Sequence, residues 1–85
     1  MKKTVYSYDY NKVVAIVEYE DFIVLAFETS PIIIAAVYKT DPNTIVDALP
    51  LDIKYSNVSD IAIDGTNIWV LCNTSPGYAV VIDAN

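Results

Sequence analysis

Few side chains in this sequence could carry chemistry. Histidine is absent, so a general acid or base would have to be a carboxylate, a lysine or a tyrosine. Two carboxylate pairs lie close together, Glu18 with Glu20 and Asp60 with Asp64. Both fall at expected hairpin turns, where a solvated charge is the ordinary reading, so no catalytic residue is assigned. Cys72 is the only cysteine and sits in the apolar run Ile68–Cys72. Without an activating histidine it reads as a buried, inert thiol. Asp60, Asp64, Gly65 and Asn67 have an oxygen-rich spacing, but Ile61, Ala62 and Ile63 interrupt it. A calcium loop is continuous and polar. Neither a metal nor a cofactor is expected. Sugar recognition fares better, because aromatic rings stand near Asp and Asn. Trp69 lies inside an apolar run and reads first as a core or interface residue. Tyr19 and Tyr78, nearer the turns, are the stronger glycan contacts, with Phe22 beside the first.

The elements that would position these residues must be built from an unusual composition. Hydrophobic residues make up 54% of the 85 residues and charged residues 19%. That is more apolar side chain than a small globule can bury, and surplus apolar surface implies a covering partner. The formal net charge is −6 and the sequence pI about 4.1. No basic footprint exists for nucleic acid or for an anionic membrane surface. No apolar run reaches the roughly 18 residues of a membrane span. Lys2 and Lys3 are followed by Ser7, Asp9, Asn11 and Lys12, which leaves no signal-peptide core. The expectation is a soluble chain, cytoplasmic or in a virion.

Hydrophobic periodicity predicts strands throughout. Thr4–Tyr10 and Leu49–Tyr55 alternate apolar and polar residues, the period-2 pattern of half-exposed outer strands. Val13–Val17, Phe22–Phe27, Ile32–Tyr38, Ile61–Ile63, Ile68–Cys72 and Tyr78–Ile82 are almost continuously apolar, as in strands buried on both faces. Asp64-Gly65 and Ser75-Pro76-Gly77 mark turns, with Glu18–Asp21 and Ser30-Pro31 in the matching places. Asp41-Pro42-Asn43-Thr44 opens the longest loop, in which a single helical turn at Ile45–Leu49, stopped by Pro50, is the weaker reading. Thr29-Ser30-Pro31 recurs as Thr74-Ser75-Pro76, and Tyr10, Val13, Ile16 and Ile23 recur as Tyr55, Val58, Ile61 and Ile68. The offset throughout is 45 positions (74 − 29). The chain therefore reads as one domain of two units, about 1–40 and 41–85.

The segment Val58-Ser59-Asp60-Ile61-Ala62-Ile63-Asp64-Gly65, followed by Asn67-Ile68-Trp69-Val70, resembles the repeat of NHL- and YVTN-type β-propellers. Tyr78–Asp83 is similar to their third strand. In the first unit Glu20 stands where the family's turn glycine would be. The resemblance implies an all-β fold of two four-stranded antiparallel blades and little about chemistry. Two blades cannot close a ring of roughly four to eight, so closure by oligomerisation is expected, three copies being the first choice and four the second. A small β-sandwich is the alternative.

Function then reads as non-enzymatic assembly: a homo-oligomeric structural subunit, belonging to a virion or another large complex. A ring-shaped, glycan-binding lectin is the alternative. Counted inner to outer, the second unit stops at its third strand while Thr4–Tyr10 has no unit before it. Thr4–Asp9 of one subunit is therefore expected to pair with Tyr78–Asp83 of its neighbour, giving Tyr6, Tyr8, Tyr78, Val80 and Ile82 as interface residues.

Overall fold

In a computed structural model, which describes residues 1–10 and 12–85, seven strands form two antiparallel sheets and the described residues contain no helix. The first sheet is a meander of β1 (Val13–Tyr19), β2 (Phe22–Phe27), β3 (Ile33–Tyr38) and β4 (Ile45–Pro50). The second contains β5 (Val58–Asp64), β6 (Asn67–Cys72) and β7 (Tyr78–Asp83). The all-β expectation holds, and two packed sheets fit the small β-sandwich alternative. The chain by itself closes no ring, and its second sheet stops at a third strand, β7.

Two elements differ from their sequence-based expectation. Ile45–Leu49, expected in the longest loop with a helical turn as the weaker reading, belongs to a strand, because the edge of β3 is free to pair with it through Ile34–Leu49 and Ala36–Asp47. Pro50 ends this edge strand, where its missing N–H costs least. The predicted outer strand Leu49–Tyr55 thus shrinks to its first two residues. Thr4–Tyr10 forms no strand at all. Its alternation reports which side of an extended segment is covered: the rings of Tyr8 and Tyr10 lie 5.7 and 4.9 Å from that of Phe27. The Tyr8 hydroxyl donates to the Pro42 carbonyl at 2.9 Å.

The second sheet follows the plan of the first, 45 positions on. Strands begin at Val13 and Val58, at Phe22 and Asn67, and at Ile33 and Tyr78. The ladder slips between Val13 and Ala15 and again between Val58 and Asp60. The Glu28 amide donates to the Lys12 carbonyl at 2.9 Å, as Asn73 does to Asn57 at 2.8 Å. The hydroxyls of Thr29 and Thr74 donate to the carbonyls of Pro31 and Pro76. Both first hairpins turn through positive φ, 51° at Glu20 and 61° at Gly65. Asp64-Gly65 suits that conformation; Glu20 adopts it against its Cβ.

Each sheet has two sides, distinguished here as A and B. Ile23, Leu25, Phe27, Ala35 and Val37 lie on side A of the first sheet, and Val24, Ala26 and Ile34 on side B. The corresponding residues of the second sheet are Ile68, Val70, Cys72, Val80 and Ile82 on side A, and Trp69, Leu71, Ala79 and Val81 on side B. Side B of the first sheet packs on side A of the second, with Ile32, Leu51 and Ile61 completing this main core. The backbones approach one another along β1 and β5. Glu28 adds a polar tie, its Oε1 accepting from the Val58 amide at 2.9 Å.

Candidate functional site

The residues with chemical potential do not converge. Glu18 makes an exposed ion pair with Lys39 at 3.8 Å, and Asp60 accepts from the adjacent Ile61 amide at 2.8 Å. Among the described residues no group of three or more His, Cys, Asp or Glu could hold a metal ion. The Cys72 thiol is buried in the core. Burial pushes its pKa up, the Glu28 carboxylate adds to that, and a hydrogen bond with the Ser56 backbone opposes both. A thiol held in its protonated form is a poor nucleophile.

The three candidate glycan contacts occupy different places. Tyr78 is half-buried between the sheets with its ring 5.0 Å from that of Tyr55, edge to face. Tyr19 stands at the opposite end of the inter-sheet layer, beside Phe22 in a cleft of about 450 Å³. Val24, Ile34, Leu49, Ile68 and Ile82 line this cleft. It exists because the sheets meet at β1 and β5 and splay toward their later strands. Trp69 is 36% exposed on side B of the second sheet, so of its core-or-interface reading the core half does not hold within the chain. Nor does any of these aromatics recur: the positions matching Trp69, Tyr78 and Tyr19 hold Val24, Ile33 and Asp64.

The expected interface residues also divide. Tyr6 is exposed, whereas Tyr8 packs on its own sheet. Tyr78, Val80 and Ile82 point into the chain's own inter-sheet core, so their side chains are already used, and among the described residues the outer backbone edge of β7 pairs with no strand.

The exposed apolar surface lies elsewhere. On side B of the second sheet Trp69 is flanked in register by Ala62 and Val81, and Leu71 by Asp60 and Ala79. Leu71 is 39% and Val81 46% exposed. On side A of the first sheet Tyr6, Tyr8, Val13, Ile16, Ile23 and Leu25 line an apolar groove of about 360 Å³, with Ile16 63% exposed. For the second sheet the sequence signal was the continuous apolar character of β6 and β7, which implies burial on two faces. In this fold β6 alternates buried and exposed positions, so one of its faces goes uncovered.

No protein-family model matches this chain, and no curated protein or solved structure matches it. Among the described residues no helix is long and apolar enough to cross a membrane.

Proposed function

We propose that this chain is a non-enzymatic assembly subunit whose copies stack sheet on sheet into a closed, propeller-like ring. One observation carries the reading: the chain's internal interface joins side B of one sheet to side A of the next. Of the two remaining sides, side A of the first sheet is covered over Phe27 by Tyr8 and Tyr10 but leaves Val13 and Ile16 exposed beside the apolar groove, and side B of the second sheet exposes Trp69, Leu71 and Val81. They are complementary in the sense the internal interface defines. A head-to-tail contact between different patches makes a ring or an open filament, according to the rotation per copy. The splay of the sheets away from β1 and β5 supplies a wedge shape suited to a ring. With the strand termini and the apolar stripes spaced at 45 residues, two blades per copy and three copies per ring is the arrangement proposed. A glycan-binding ring would instead call for an exposed aromatic in each sheet, and none recurs.

Native mass spectrometry tests this. The expected species is three times the 9.4 kDa chain, with four times the next choice. A folded 9.4 kDa monomer at micromolar concentration would end the proposal.

A further inference from the structure

We infer that Met1–Val5 is the missing fourth strand of the second sheet, donated by one copy to the β7 edge of the next. The inference rests on the assembly proposed above and names the contact that locks it. In the first sheet, β4 covers the edge of β3 and runs through Leu51, whose amide donates to the Ile32 carbonyl at 2.9 Å, toward β5 of the second sheet. The residues 45 positions before the last five of β4 (46–50) and before Leu51 are Met1–Val5 and Tyr6. This segment leads in the same way into β1 of the first sheet. Every residue of it is exposed, and none pairs in a ladder. Among the described residues β7 pairs only with β6. The segment and the β7 edge, one of four sheet edges in each copy, thus both carry backbone groups that no ladder pairs.

The register follows from the β3–β4 ladder. Ile33 opposes Pro50, Ile34 opposes Leu49, Ala35 opposes Ala48 and Ala36 opposes Asp47. Moved by 45 positions, Tyr78 of one copy opposes Val5 of the next, Ala79 opposes Thr4, Val80 opposes Lys3 and Val81 opposes Lys2. Charge agrees with this placement. Lys2 and Lys3 are two of only five lysines in a chain of net charge −6, and the register brings Lys2 toward the end of β7 where Asp83 lies. Tyr8, held on its own sheet by Phe27 and Pro42, anchors the root of the segment and limits the donated part to its first five residues.

The test is a pair of cysteines at directly opposed positions, Thr4→Cys with Ala79→Cys in one chain, where antiparallel neighbours come within disulfide reach. Mild oxidation should convert the chain into covalent multimers on a non-reducing gel, ending at the mass of the native ring. Thr4→Cys with Val81→Cys, two residues out of register, should cross-link far less. Cross-linking within single chains would overturn the inference, as would no cross-linking while the native mass stays multimeric. That second result leaves the face-to-face assembly standing. A monomeric native mass removes both.

Discussion

The head-to-tail arrangement makes a prediction that no two-fold dimer shares. Ile16→Glu spoils side A of the first sheet, and Val81→Glu spoils side B of the second. Full burial of an isoleucine contributes about 1.5–3 kcal/mol. Ile16 is 63% exposed in the free chain, so roughly 1–2 kcal/mol of that burial would come from assembly. Confining an unpaired carboxylate at the contact costs several kcal/mol more. The total loss is about 4 kcal/mol per junction, near a 1000-fold rise in dissociation constant. Neither substitution fills a core position, so the folded monomer should lose no more than about 1 kcal/mol. Each variant alone should sediment as a folded monomer. Mixed at about 100 μM, they should form a 1:1 dimer, because the sound side A of Val81→Glu meets the sound side B of Ile16→Glu. Analytical ultracentrifugation reads this directly. An isologous contact uses the same patch twice, so neither mixing rule nor asymmetry would apply. Variants that stay fully assembled, or a mixture that remains monomeric while wild type assembles, would refute the reasoning.

Other consequences concern the fold. Phe27 is fully buried beneath Tyr8 and Tyr10; Phe27→Ala should cost about 3–5 kcal/mol, visible as a collapsed urea midpoint. The two matching hairpins should respond in opposite directions. Glu20→Gly relieves a positive φ and should stabilise by about 1 kcal/mol, whereas Gly65→Ala should destabilise by a similar amount, although no atom lies within 4 Å of the added methyl. Cys72 should react slowly with alkylating agents in the native state. Its thiol pKa is raised by burial above the ordinary 9.0, so the unfolded chain releases that proton first. The associated stability is fully present below the ordinary thiol value and is lost as pH climbs through the raised one. Cys72→Ala should flatten that part of the alkaline denaturation profile.

Much of the architecture is determined locally and was open to sequence reading. Continuous β-branched runs require strands. Asp64-Gly65 supplies a turn that tolerates positive φ, and the 45-residue recurrence of Thr-Ser-Pro places equivalent turns in both units. The absence of histidine and the burial of Cys72 follow the same way from residue type and run. Tertiary structure decided the rest. A period-2 pattern says that one side of an extended segment is covered, yet it cannot say by what. Tyr8 and Tyr10 therefore read as a ladder strand when they are a cover for Phe27. Pro50 marked an end to something, and only the free edge of β3 made that element a strand instead of a helical turn. An apolar residue records that its surface wants burial, while the identity of the covering face depends on how two sheets meet. Tyr78, Val80 and Ile82 found that cover inside their own chain; Trp69, Leu71 and Val81, from equally apolar strands, were left with a free face.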